Sequence, residues 1–405
     1  MEHDSPAAPV SRQRLAIMGL LAMSIMMPVT LPVAILRELV GARFEVSEFY
    51  TSLFMSVNMI GALLAAPIAG ALADRIGRRR SLIIGALFID AGLFWAMTLS
   101  MPFGLFLIIR FFEGAAHIFS LSLLLSISAS LGGSHARGRT MGITGAGMML
   151  GIAIGAPLGG LIGSEEALRP LYLGSILLVG AALLASAVLP DPKSRDRRPE
   201  LSEMIDLMKK NRDVIVPLIF AFADRFTVGF YTTTFSLFAS GLHGASPPLV
   251  GLWISAFMLP FALLSFPFGL LADRFSKTVL LCGGSAIYGL LTASLGFWPT
   301  DFIGPGMALI GVFAAVMFVP SMLMTTDLTP PEIRGAALGA FNTAGSLGFI
   351  LGPITGGLVS QLVSANHGAE IGHRAAFAVA GAAEILCALI ALPFLLRLRG
   401  KGRTT

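Results

Sequence analysis

Two stretches, GALADRIGR at 70–78 and GLLADRFSK at 269–277, decide the fold of this chain. Each closes a long apolar run, turns on an Asp-Arg pair, and leads into a second apolar run. They stand about 200 residues apart, as corresponding points of a duplicated chain would. A second match falls at nearly the same offset. Arg137-Gly138 precedes Gly142, Gly151, Gly155, Gly159 and Gly160, and Arg334-Gly335 precedes Gly339, Gly348, Gly352, Gly356 and Gly357. Two independent matches at equivalent helix ends divide the chain into two halves. The expected organisation is an N-terminal six-helix bundle over 1–190, a linker over 191–212 and a C-terminal six-helix bundle over 213–405.

Composition places these halves in lipid. Of 405 residues, 55% are hydrophobic and 13% charged, whereas soluble domains carry about 25% charged residues. The 46 glycines raise the apolar share to about two-thirds. Segments long enough to span a bilayer, about 20 apolar residues, lie near 15–36, 49–72, 81–99, 103–127, 140–163, 170–190, 213–239, 249–272, 278–297, 304–326, 336–362 and 374–396. The fold class is therefore an all-α polytopic membrane protein of twelve spans. The first run is longer than the core of a signal peptide, about 7–15 residues, and reads as span 1.

The net charge of +5 reports topology and not a nucleic-acid partner, because no soluble basic face exists to carry one. Of the 28 Lys and Arg, only Arg37, Arg43, Arg169 and Arg374 fall in loops on one side, and Arg110 and Arg225 lie within spans. The rest collect on the other side, which the positive-inside rule makes cytoplasmic. Both termini and the linker are then cytoplasmic. The linker carries Leu201, Met204, Ile205 and Met208 on one helical face opposite Glu203, Lys209 and Lys210, the pattern of a short interfacial helix. Cys282 and Cys387 both sit in apolar runs, which leaves neither a disulfide framework nor a Cys-based metal site. No catalytic cluster or soluble domain speaks for an enzyme.

Three motifs give the chain its resemblance to the major facilitator superfamily, and within it to the twelve-helix drug:proton antiporters. The first is Gly70, Leu72, Asp74, Arg75, Gly77, Arg78, Arg79 and Leu82 after span 2, echoed by Asp273 and Arg274 after span 8. The second is Arg110 with Gly114 in span 4. The third is Gly142, Gly151, Gly155, Ala156, Pro157, Gly159 and Gly160 in span 5, with the proline one place later than in the family pattern. The unshifted form stands in span 11 as Gly352, Pro353, Gly356 and Gly357. The resemblance implies alternating access between two halves, a charge latch at the Asp74 loop, and export. It also implies a central cavity lined by spans 1, 4, 7 and 10, and it makes spans 3 and 12 peripheral, so that Asp90 and Glu384 have no assigned role.

The residues themselves add detail. Gly151, Gly155 and Gly159 share one helical face and permit close helix contact, read either as ordinary packing or as a pliant interface between the halves near Pro157. Asp74 can cap the following helix, and Gly70 and Gly77 allow the turn.

The ionisable residues inside spans are Asp90, Arg110, Glu113, His117, Asp224, Arg225 and Glu384. Exposed to lipid, they would together cost on the order of 20 kcal/mol, more than the ~5–15 kcal/mol of a typical fold. They must face the interior, pair or be neutral. Arg110, Glu113 and His117 are spaced three and four apart on one face, so Arg110 can pair with Glu113. His117 is a candidate relay, imidazole having an ordinary pKa of about 6.5.

Asp224 lies about 15 Å into span 7 at a 1.5 Å rise per residue. Neighbouring residues point about 100° apart on a helix, so Arg225 does not obviously neutralise it; the alternative is a fixed salt bridge from Asp224 to Arg110 or Arg225. A buried carboxyl without a fixed partner favours its neutral form, and Asp224 is the preferred proton site, with Glu113 and His117 as auxiliary groups. Arg110, Arg225, Tyr231 and Thr30 are candidate cavity residues, joined by the hydroxyls of Thr232, Thr233 and Thr234. Span 1 offers no acid, only Ser24 and Thr30 near its centre.

The expected function is a proton-coupled exporter of a small, lipophilic compound. It would act as a monomer in the inner (cytoplasmic) membrane, with protons, substrate and lipid as its partners and no cofactor or metal. The alternatives on the same fold are a proton-coupled importer of a small polar solute and a lipid or lysolipid flippase.

Overall fold

The computed structural model describes residues 11–76, 78–131, 133–189, 201–272, 274–330 and 334–400. Among these residues every regular element is helical. In chain order the α-helices are α1 (Arg12–Thr30), α2 (Glu48–Ile76), α3 (Arg79–Ala96), α4 (Phe103–Ser130), α5 (Gly133–Gly163), α6 (Arg169–Val188), α7 (Leu201–Lys210), α8 (Ile215–Thr232), α9 (Thr234–Gly241), α10 (Pro247–Ala272), α11 (Lys277–Ser294), α12 (Thr300–Asp327), α13 (Arg334–His367) and α14 (Ala369–Gly400).

Local chemistry sets the helix ends. Ser11 caps α1 by accepting from the Arg14 amide at 3.3 Å. Extended Pro102 and Pro299 precede α4 and α12, where a fixed φ and a missing N–H do no harm.

Among the described residues, eleven spans are long and apolar enough to cross a membrane by length and composition. The expected third span is present as α3, whose 18 residues include Arg79, Arg80 and Asp90. Arg79 donates to Ser126 on α4 at 2.9 Å and Arg80 donates to the Ser186 carbonyl on α6, so the charges entering this span are held by its neighbours.

Two expected spans are not single α-helices. Span 1 ends as an α-helix at Thr30, and a 3₁₀ turn (Val33–Ile35) and a π turn (Arg37–Ala42) follow. Span 7 breaks at Thr233, between α8 and α9. There the Thr232 and Thr233 hydroxyls donate to the Gly229 carbonyl at 2.9 and 3.1 Å. Side-chain donors thus serve a carbonyl beside the break, as threonine does where it competes with the helical ladder.

The chain forms two compact units, one of Met1–Pro32 with Ile60–Arg197 and one of Val33–Met59 with Arg198–Thr405. In the first, α1 packs on α5 and α3 packs on α4 and α6. In the second, α8 packs on α13 and α11 packs on α12 and α14. These are equivalent pairings, so the sequence duplication is a duplication of packing.

The second unit also takes in Val33–Met59, which belongs to the first half of the sequence. Ser56 donates to the Ile350 carbonyl at 2.8 Å, Ser360 to Glu48 at 2.6 Å, and Ser236 to the Val33 carbonyl at 2.7 Å. Polar side chains within an apolar segment find partners on the helices they touch.

The glycine-rich helices explain the closest approaches. A Cβ at Gly151, Gly155 or Gly159 would press on α1 or the turn after it, at Met23, Thr30 and Leu31 respectively. A Cβ at Gly348, Gly352 or Gly356 would press on Phe222, Phe226 and Thr234. Bare backbone therefore seats α5 on α1 and α13 on α8, as small residues do where helices meet in a membrane. The contact made by Gly151, Gly155 and Gly159 lies inside the first unit, which replaces their reading as an interface between halves.

Candidate functional site

In the first unit α3 and α4 bring four ionisable side chains together. Arg110 and Glu113, one turn apart on α4, are fully buried, and Arg110 Nη1 donates to Glu113 Oε2 at 2.6 Å. The i,i+3 spacing places them face to face. One turn further, His117 Nδ1 lies 3.3 Å from Asp90 Oδ2 on α3. Asp90 Oδ1 and His117 Nε2 are buried without a hydrogen-bond partner. Asp90, which the sequence left without a role, closes the cluster, because α3 packs directly on α4.

Ligand atoms of Asp90, Glu113 and His117 lie within 4.8 Å of one another, a set that could hold a metal ion. The Arg110 guanidinium, bound to Glu113, already supplies a cation at that position.

In the second unit Asp224 is fully buried, and its Oδ2 accepts from Arg225 Nη1 at 2.7 Å. Of the two readings of Asp224, the structure has the one with a salt bridge to Arg225. A long arginine reaches around a helix that would keep two short side chains apart. The guanidinium also lies over the Phe318 ring, 4.5 Å from its centroid, and over that of Phe349 at 5.6 Å. Asp224 Oδ1 is buried with no partner.

Phe318 belongs to an aromatic run in which ring centroids are 5–6 Å apart. Phe261 to Phe318 is 5.5 Å, Phe257 to Phe261 is 6.1 Å, and Tyr231 to Phe257 is 4.8 Å.

A second carboxyl stands nearby. Glu384 on α14 is fully buried and accepts from Ser285 Oγ of α11 at 2.6 Å. Its helix packs on α8, which carries Asp224. No pattern within α14 marks it, since its partner is on another helix. The signal available was the rarity of a glutamate in such a segment.

The remaining expected residues serve packing or lie elsewhere. Thr30 donates to the Ile152 carbonyl at 3.0 Å and pins α1 to α5. Tyr231 is fully buried, with its hydroxyl 2.5 Å from Thr292 Oγ1. Pro353 packs against the site of Gly229, and Pro157 lies inside α5. Arg75, Arg78 and Arg274 are exposed. Gly77 and Asp273 lie outside the described residues, as do the surroundings of Gly70 and Asp74. The expected interfacial segment is helical as α7, with Ile205 exposed.

Two units of apolar helices on one packing plan, each with a buried arginine–carboxyl pair, define a polytopic membrane protein. The chain belongs to the Major Facilitator Superfamily, whose family model matches residues 15–242 and 217–405. This is a family of transporters and not of enzymes. The chain is 24% identical to "Multidrug resistance protein 2" of Bacillus subtilis over 75% of its own length and 78% of that protein. It is also 24% identical to "Multi-drug resistance efflux pump PmrA homolog" of Lactococcus lactis over 78% and 80%. Among solved structures, nucleoside transporter NupG superposes with a TM-score of 0.76 at 16% identity, covering 95% of this chain and 98% of that one. A D-xylose-proton symporter superposes at 0.70 and 17%, covering 93% and 95%. These structures share the fold.

Proposed function

We propose that this secondary transporter exports small lipophilic compounds in exchange for protons. The observation that carries the reading is Asp224, a fully buried carboxyl held on one oxygen by Arg225 and unpartnered on the other, next to an aromatic run. When a proton neutralises Asp224, the ion pair is lost and the Arg225 guanidinium keeps its contact with the Phe318 ring. When the proton leaves, the ion pair re-forms. A lipophilic or aromatic substrate meets the phenylalanines and competes for the same space. The names of the multidrug relatives agree with this substrate class and direction.

Transport proceeds by alternating access of two six-helix halves, 1–190 and 213–405, in the inner membrane with both termini cytoplasmic. One copy suffices, and the proton gradient is the only energy source. One charge moved across 100 mV supplies about 2.3 kcal/mol. The His117–Asp90 pair and Glu113 form an auxiliary polar centre in the first unit, with Arg110 as its fixed cation.

The test is reconstitution in liposomes with an imposed pH gradient and ethidium as probe. Ethidium should move against the proton flow, and Asp224→Asn should lose the dependence on the gradient. Ethidium exchange that ignores the gradient, or full coupling in Asp224→Asn, overturns the reading. Co-directional movement of a polar solute such as a pentose would instead favour the importer.

A further inference from the structure

We propose that Glu384 is a second proton-holding carboxyl, seated in a hydroxyl-lined core between α8, α11 and α14. Its role in transport rests on the proton-coupled reading above, but its protonation does not. The side chain is fully buried. Ser285 Oγ donates 2.6 Å to Oε2, and Oε1 has no hydrogen-bond partner. The chamber is tight, because α11 and α14 meet at two glycines. A Cβ on Gly289 would stand 2.6 Å from the Gly381 carbonyl oxygen and 2.9 Å from Glu384 Cβ.

The groups facing this carboxyl are acidic or neutral. From α8 come Asp224, Tyr231 and Thr227, whose Oγ1 lies 3.4 Å from the Ala380 carbonyl oxygen. From α11 come Tyr288 and Ser285, and from α14 itself Cys387. The α13 helix carries no ionisable side chain between Arg334 and His367. The cation on these helices at this depth is Arg225, and it is bound to Asp224. Arg374 and Lys277, at the helix ends, are engaged by Glu370 and Asp327.

An ionised carboxylate in such a place would carry the full cost of desolvation with no countercharge to offset it. The neutral acid avoids it, and a hydroxyl-bearing acid can accept from Ser285 on its carbonyl oxygen. Asp224 and Glu384 share one packed core, so ionising one disfavours ionising the other and the two titrate as a pair. Glu384 thus keeps its proton while Asp224 keeps Arg225.

Infrared absorption of the full-length protein in lipid, followed from acidic to mildly alkaline pH, tests this directly. The C=O stretch of a protonated carboxylic acid should persist at neutral pH, lose a component in Glu384→Gln, keep that component in Asp224→Asn and show it at higher frequency in Ser285→Ala. A neutral-pH band that is missing in the unmodified protein, or that Glu384→Gln leaves intact, overturns the proposal. Should Glu384→Gln fail to fold, Ser285→Ala decides, since an unmoved band refutes the assignment. The band is read without any transported compound, so it is expected even if ethidium export fails.

Discussion

Replacing Gly151 by alanine isolates the contribution of the bare backbone contact between α1 and α5. The added Cβ would stand 2.5 Å from the Met23 carbonyl oxygen and 3.1 Å from the Met27 nitrogen, where ordinary contact begins at 3.4 Å. Neither neighbour is the end of a flexible side chain, so the helices must separate by nearly 1 Å. A gap of that size forfeits about a quarter to a half of each dispersion contact along the seam, and overpacking of this kind costs about 1–3 kcal/mol. At roughly 2–4 °C per kcal/mol, the thermal midpoint should fall by several degrees.

The same helix supplies the control. A Cβ at Gly142 meets nothing within 4 Å, and alanine exceeds glycine in helix propensity by up to about 1 kcal/mol. Gly142→Ala should therefore leave the midpoint unchanged or raise it. Thermal unfolding of both variants in detergent, followed by intrinsic fluorescence, reads the difference. Equal midpoints for the two variants would refute the argument that contact, and not glycine content, holds these helices.

Two further outcomes concern the buried charges. Arg110→Ala should destabilise by about 3–5 kcal/mol, because it removes the buried countercharge bonded to Glu113. Arg110→Ala with Glu113→Ala should recover a coupling energy of about 1–3 kcal/mol in a double-mutant cycle, read by the same unfolding assay. Arg225→Ala should cost less than Arg110→Ala, since the Arg225 side chain is 23% exposed where Arg110 is fully buried. Adding Asp224→Asn should restore part of that loss, and Arg225→Lys should not replace the stacking on Phe318.

Much of this molecule was legible before any coordinates. Lipid leaves helices as the workable solution for an apolar chain of this pattern, so the spans followed from hydropathy. The duplication followed from the two Asp-Arg turns and the matching glycines. The pair Arg110 and Glu113 also followed, because residues three apart on a helix have one geometry. The breaks at Leu31–Pro32 and Thr233 were less visible, since Pro and Thr are tolerated inside membrane helices where neighbours satisfy the freed backbone.

The sequence by itself determined which side chains had to be buried and which backbones could touch, because helical periodicity and the scarcity of charge in lipid act along one chain. Only the tertiary structure decided whom those side chains meet: Asp90 with His117, Asp224 with Arg225, Glu384 with Ser285, and Val33–Met59 with the helices of the second repeat. Partners on different helices carry no fixed spacing in sequence. Packing sets their distance, and an arginine flexible enough to turn back on its own neighbour escapes the rule that adjacent residues point apart.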